Sequence, residues 1–323
     1  MQVTTFEARA LLAEQDNIVI LAHRKPDGDT MGCAIALYHA LTQQGKACRI
    51  ECADPFSRRY DYLNKGYEPK DFEPEYIVAV DIADEQLLGT LQAKYAGKVD
   101  LCIDHHKSNT FYARHTLVNP QAAAAAEILF ELLLIMGAEI DTQIANALFT
   151  GLSTDTGGFR FANVTAETHR AAARLIDLGA EHVMINQVAF GTRSRARVEI
   201  ERLALQSLEY YCGGRCALVV LPPCLQEKFG ATEDDLEGIS NMLRTIEGAL
   251  VGVSVRDNGD GSFRLSLRSK APADVSVICA GLGGGGHTNA AGCTLTGSLE
   301  QVKLALLARV QAELQEKGIG QAK

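Results

Sequence analysis

Metal-ligating side chains stand at the ends of several apolar runs in this sequence. NIVILAH (17–23) closes on His23 and leads into HRKPDGDTMG, which sets Asp27 and Asp29 on one tight turn. YIVAVD (76–81) ends on Asp81, and VDLCIDH (99–105) runs into IDHHKSN with Asp104, His105 and His106. GLSTDTGGF then puts Asp155 in an expected loop between a helix and an aromatic segment. A single Asp at a strand end is ordinarily a helix cap or turn residue, and Asp29 by itself could cap a helix beginning near Thr30. That explanation must be invoked separately for four segments. It accounts neither for the HxxPDxD spacing nor for DHH straight after an apolar strand.

Four carboxylates gathered within a few ångströms would raise each other's pKa unless cations compensated. Two divalent ions do so, and a mixed imidazole and carboxylate set suits manganese, with magnesium, cobalt or iron as alternatives. In this arrangement His23 and Asp27 serve one ion, Asp29, His105 and Asp155 the other, and Asp81 bridges them. Two metals roughly 3.5–4 Å apart activate a bridging water and clamp both oxygens of an in-line displacement at phosphorus. The chemistry implied is hydrolysis of a phosphoric ester.

The elements that must position these groups alternate over the first 190 residues. Strands are expected at 17–23, 47–53, 76–81 and 99–105, with helices from Thr30 to Gln44 and within AAAAEILFELLLIMGA (123–138). Such alternation implies right-handed crossovers and an α/β, doubly wound, mostly parallel sheet, with ligands at the carboxyl ends of its strands. The stretch 191–212 reads as a linker helix between a catalytic domain, 1–190, and a smaller C-terminal α/β domain, 213–323. The active-site cleft is expected between the two domains. In the second domain CALVVLP is a strand and 249–269 holds two strands around an Asp/Asn/Gly turn. The glycine-rich GLGGGGHTNAAG (281–292) follows as a loop, then a final helix from about Ser298.

A length of 323 residues accords with two domains, and 47% hydrophobic with 22% charged residues accords with full cores. No apolar run reaches the roughly 18 residues of a membrane span. The N-terminus reads as a helix and not as a signal peptide, so a cytoplasmic protein without a membrane partner is expected. Nine scattered cysteines suit a reducing compartment, and Cys212, Cys216 and Cys224 lack the paired spacing of a zinc site. Residues 1–190 carry 16 Lys/Arg against 25 Asp/Glu, whereas 191–323 carry 15 of each. An acidic first domain is a poor track for long nucleic acid and suits small phosphorylated substrates once cations neutralise it. The composition leaves a homodimer open.

HRKPDGDTMG, VAVD, IDHH and STDTGGF resemble the ordered motifs of the DHH phosphoesterase superfamily. GGGGHTNAAG resembles the glycine-rich motif of its associated C-terminal domain. The likeness runs over nearly the whole chain. Its length and layout are similar to the small oligoribonucleases that also remove the 3′-phosphate of 3′-phosphoadenosine 5′-phosphate, with no room for the DNA-binding modules of RecJ-type exonucleases. The resemblance implies that His105 is a metal ligand and that His106 faces the substrate phosphate and leaving group. It also implies that Asp104 orients an imidazole, with Asp81 sharing in catalysis. Relatives commonly have Ser where Cys33 stands, a position expected only to pack. A glycine run lets backbone N–H groups approach an anion. With the resemblance this implies phosphate binding at Gly284, Gly285, Gly286 and His287, and substrate contact at Arg268 beside Ser269. Arg193, Arg195 and Arg197 read as a solvated helix face. The implied substrates are short RNA oligonucleotides and a nucleoside bisphosphate. The alternatives are linear or cyclic dinucleotides, inorganic polyphosphate or pyrophosphate, or nucleotide sensing without turnover.

Overall fold

Strand β1 (Ile18–Ala22) is buried along its full length, as is β3 (Tyr76–Val80), because both faces of their sheet are covered. They belong to a computed structural model that describes residues 1–236 and 238–319 and divides into two units, Met1–Thr192 and Arg193–Lys323. The first unit adds β2 (Cys48–Cys52), β4 (Leu101–Asp104) and β5 (His115–Val118), in the order β2-β1-β3-β4-β5. Every pairing in this sheet is parallel. Helices Gly28–Gln43, Ala125–Met136 and Thr142–Asp155 supply the larger of its two cores, including Met31, Ile35, Leu129 and Phe149. A smaller cluster with Leu21, Ala79 and Tyr95 covers the opposite face. Chain order reverses between β1 and β3, so the carboxyl ends of these strands flank the crevice where such sheets take ligands.

Three details differ from the sequence expectation. The first long helix begins at Gly28 instead of Thr30, because Asp27 caps it and accepts from Asp29 N at 3.0 Å and Thr30 N at 3.1 Å. Asp155 is the last residue of helix Thr142–Asp155 and does not lie in a loop. The short strand β5 has no counterpart among the expected strands, since four residues are too few to show a period.

The second unit is a six-stranded mixed sheet. Its strands are β6 (Glu209–Tyr211), β7 (Cys216–Leu221), β8 (Val251–Asp257), β9 (Ser262–Ser269), β10 (Gly285–His287) and β11 (Ala290–Thr296). Their order is β10-β11-β9-β8-β7-β6, with only β7 and β8 parallel. Helices Val275–Ala280 and Leu299–Glu316 pack on one face, the latter opened by a Ser298/Gln301 capping box. Helix Arg195–Gln206, from the stretch read as a linker, buries Ile200 and Ala204 in the core of the other face. The glycine-rich stretch is more ordered than a plain loop, because Gly285–His287 pair with Ala290–Gly292 as a hairpin. All nine cysteines are free. Among the described residues no helix is long and apolar enough to cross a membrane.

Candidate metal centre

The three strands β1, β3 and β4 deliver His23, Asp81 and the Asp104–His106 turn to one edge of the first sheet. His23 Nε2 lies 3.6 Å from Asp27 Oδ1 and 3.6 Å from Asp81 Oδ2. His105 Nε2 lies 3.6 Å from Asp81 Oδ1 and 3.3 Å from Asp155 Oδ2. Asp81 therefore turns one oxygen to each histidine. The Nδ1 atoms point the other way, His23 to the Arg24 carbonyl at 2.8 Å and His105 to the Ala122 carbonyl at 3.3 Å. A carbonyl only accepts, so each Nδ1 carries a proton and each Nε2 is the nitrogen that faces the carboxylates and could ligate a metal.

Two groups of donor atoms, His23/Asp27/Asp81 and Asp29/His105/Asp155, each lie within 4.8 Å of one another and could hold a metal ion. Between them they contain all six residues singled out in the sequence. Asp81, His105 and His106 form a third group of the same span, but His106 Nδ1 is committed to Asp104 Oδ1 at 2.7 Å. His106 is thereby the poorer donor, and its Nε2 is left for another partner.

Charge in this cluster is out of balance. Burial, reinforced by neighbouring carboxylates, pushes Asp29 and Asp155 up to about 7, and burial with Asp29 nearby raises Asp81 well above the carboxylate range. Asp81 Oδ1 is buried with no hydrogen-bond donor, and its backbone sits at a left-handed φ of 58°. Such a conformation costs on the order of 1–3 kcal/mol for a non-glycine residue and persists where the surroundings enforce it. A strained, unpartnered, buried carboxylate flanked by imidazole lone pairs fits a divalent cation, which would satisfy both at once. Burial works against charge on His23, yet hydrogen bonds that its ring gives to Asp27 and Asp81 push it up to about 11 without a cation, whose binding would displace the Nε2 proton. Burial likewise opposes charge on Asp27, but His23 and two backbone donors hold it below the usual range. The Asp104 hydrogen bond lifts His106 to about 9. Asp104 itself is held low despite burial by His106 and by Asn109, whose Nδ2 donates to Oδ2 at 2.6 Å.

Asp29 has a second task. Its two oxygens accept from Ala125 N at 2.6 Å and Ala126 N at 3.0 Å, capping helix Ala125–Met136, whose own N-cap Ala124 has no side-chain acceptor. It caps this distant helix and not its own. The approach of helices Gly28–Gln43 and Thr142–Asp155 depends on glycine at two points. A Cβ on Gly32 would lie 2.2 Å from the Ala147 carbonyl oxygen, and one on Gly151 2.5 Å from Asp29 Oδ1. Sequence reasoning passed over these glycines, although Gly28/Gly32 and Ala147/Gly151 carry the four-residue spacing of small residues at a helix crossing. It also passed over Asn109, and over Asn163, which donates to the Ala123 and Asp155 carbonyls at 2.8 and 3.2 Å. Cys33 does more than pack, since its thiol donates to Asp29 Oδ1 at 3.5 Å.

In the second unit Arg268, Gly285 and Gly286 line a cavity of about 460 Å³ with Arg264 and Ser266. Nothing lies within 4 Å of a Cβ built on Gly285, whereas one on Gly286 would meet the Ala290 carbonyl oxygen at 2.5 Å. Gly284 does not line this cavity, and a Cβ there would strike Cys293 Cβ at 2.4 Å. Ser269 is fully buried and donates its hydroxyl to the Thr288 carbonyl at 2.9 Å, so it pins the glycine-rich hairpin instead of facing the cavity. His287 is exposed at the end of β10.

Comparison with known proteins matches residues 17–152 to the model described as the DHH family, N-terminal domain, and residues 213–316 to the DHHA1 domain. A bifunctional oligoribonuclease and PAP phosphatase NrnA of Thermus thermophilus is 33% identical over 319 residues, covering 96% of this chain and 94% of that protein. A probable bifunctional oligoribonuclease and PAP phosphatase NrnA of Streptococcus mutans is 24% identical over 285 residues, covering 88% and 91%. Among solved structures, an exopolyphosphatase-related protein from Bacteroides fragilis superposes with a TM-score of 0.87 at 24% identity, over 97% of this chain and 96% of that one. At that identity the likeness speaks for the fold alone.

Proposed function

This chain belongs to the DHH family and is a phosphoric-ester hydrolase, and from that premise we propose that it degrades short RNA oligonucleotides to mononucleotides and removes the 3′-phosphate of 3′-phosphoadenosine 5′-phosphate. The observation that carries this reading is the likeness to the Thermus protein through both units, 96% of this chain. In this reading His23 and Asp27 hold one divalent cation, Asp29, His105 and Asp155 hold the other, and Asp81 serves both. Two such cations, manganese before magnesium, cobalt or iron, would supply a water of lowered pKa and positive charge opposite the phosphate oxygens.

The chain's own groups have distinct parts. Asp81 spans the two histidines through separate oxygens, which supports its bridging role. His106 holds its Nδ1 proton against Asp104, whose hydrogen bond favours the charged ring, so Nε2 is the nitrogen placed to give a proton to the leaving oxygen. Asp104 and Asn109 keep that ring in place. Arg268 and the open backbone at Gly285 suit a phosphate, the guanidinium by its planar fork and the glycine by allowing close approach. His287 joins them at the end of β10, while Ser269 and Gly284 shape the hairpin. We place the protein in the cytoplasm, acting on these small substrates and not on long nucleic acid.

The test is turnover by the manganese-loaded protein of a labelled RNA dinucleotide, 3′-phosphoadenosine 5′-phosphate, a cyclic dinucleotide and a long single-stranded DNA. Rapid turnover of the first two supports the reading. Preference for the cyclic compound or the long strand overturns it.

A further inference from the structure

Two phenylalanine rings stand in solvent beside Asp155. Phe161 is 47% exposed and Phe190 40%, and the two stand together against one short segment. Both rest on the glycine pair that follows Asp155 and Thr156. A Cβ on Gly157 would lie 2.4 Å from the Phe161 ring, and one on Gly158 3.3 Å from the Phe190 ring, with both glycines at positive φ, 59° and 68°. Only glycine gives the rings this seat.

The seat is fixed. Gly158 N donates to Ser153 O at 2.7 Å, while Arg160 N and Phe161 N both donate to Thr156 O, at 2.9 and 3.1 Å. Arg160 Nε donates to the Gly157 carbonyl, and its guanidinium lies 5.5 Å from the centre of the Phe190 ring. Phe190 itself is carried on a π-helical turn, Gln187–Gly191, a rare geometry that is frequent at functional sites. Gly158 follows Asp155 by three residues, so the glycine seat on which the rings rest lies within about 10 Å of a proposed metal ligand.

We propose that Phe161 and Phe190, with Arg160 on the latter, form a stacking shelf for a nucleobase of the substrate. This rests on the nucleotide substrates proposed above and identifies what recognises their bases. An aromatic face takes any base, because every base has a π-face, and stacking is worth about 1–3 kcal/mol per base. Arg160 adds a cation over the same surface. The shelf therefore favours base-bearing substrates over inorganic phosphate chains, with little choice among the bases. Attraction of this kind acts in the bound ground state as much as at the reacting phosphorus, so it is read in KM.

The experiment compares KM and kcat of the manganese-loaded wild type with those of Phe161→Ala, Phe190→Ala, the double variant and Phe161→Tyr/Phe190→Tyr. Substrates are an RNA dinucleotide and dinucleotides with one base removed at either position. Phe6→Ala, which removes a ring that is 70% exposed on another helix, controls for general loss of an apolar side chain. The double alanine variant should raise KM for the intact dinucleotide by about 5–150-fold, the equivalent of 1–3 kcal/mol. One of the abasic dinucleotides should show a raised KM already in the wild type, with little added by the double variant. The tyrosine pair should restore binding and Phe6→Ala should leave it alone. An equal rise for intact and abasic substrates, or no rise at all, overturns the shelf while leaving the proposed activity standing. Failure of the wild type to cleave the dinucleotide and the nucleoside bisphosphate overturns both.

Discussion

Stripping divalent cations from this protein should make its stability fall as pH rises from about 5 to 8. Asp29 and Asp155 have folded-state values of about 7 against an ordinary 3.8, both raised by burial, with Asp27 adding to Asp29 and Asp29 adding to Asp155. A group raised on folding contributes stability that is fully present below its unfolded value and lost as pH climbs through its folded value. For Asp29 a rise of this size corresponds to about 4 kcal/mol. Asp155 adds less, being 30% exposed and sharing the same repulsion. Asp81 moves in the same direction. His106, raised to about 9, loses its favourable contribution over the upper part of the same window. Asp27 and Asp104 are lowered on folding, so theirs is lost only on acidification below the ordinary aspartate range. The signs therefore agree between pH 5 and 8. About 3 kcal/mol of the Asp29 contribution falls between pH 5 and 8, which for a unit of this size lowers the melting point by about 8 °C. Scanning calorimetry of chelator-treated protein at pH 5, 6.5 and 8, with and without manganese, reads this directly. The metal-responsive transition should fall with pH without metal, and manganese should restore it more at pH 8 than at pH 5. A metal-free melting point that is flat or rises over this range would refute the account of the buried carboxylates.

Replacing Asp81 by Asn keeps a side chain that tolerates the left-handed backbone but removes the shared charge. Steady-state assays should show turnover reduced by about 100-fold or more, and near-normal rates would sink the bridging role. Gly32→Ala drives a methyl into the Ala147 carbonyl. It should cost about 1–3 kcal/mol in thermal or urea unfolding and weaken manganese binding, because the helix bearing Asp29 must move away from the helix ending at Asp155. His287→Ala should raise KM for both proposed substrates more than it lowers kcat, and an unchanged KM would count against its place in phosphate binding.

The metal-ligand candidates were legible because a parallel strand covered on both faces is an apolar run, and the first polar residue after it marks where the chain leaves the sheet. His23, Asp81 and the Asp104–His106 turn are such residues, so both their chemistry and their place at one sheet edge are written locally. The β8–β9 turn was legible for the same reason, since turns are specified by neighbours in sequence, whereas the pairing of Gly285–His287 with Ala290–Gly292 was not. Local pattern reached less far with Asp29, Asp155 and Ser269. Asp29 binds backbone groups 96 and 97 residues away, and those bonds form only when three helices have packed. Asp155 reaches the cluster at the end of a helix whose distance from Asp29 is set by Gly32 and Gly151, glycines with no chemistry of their own. Ser269 sits beside Arg268, but alternation along β9 turns it into the core, where the Thr288 carbonyl takes its proton. Which donors exist, and that strands end on them, follows from residue order along the chain. Which oxygen faces which imidazole follows from packing, because it depends on close contacts between segments far apart in the chain.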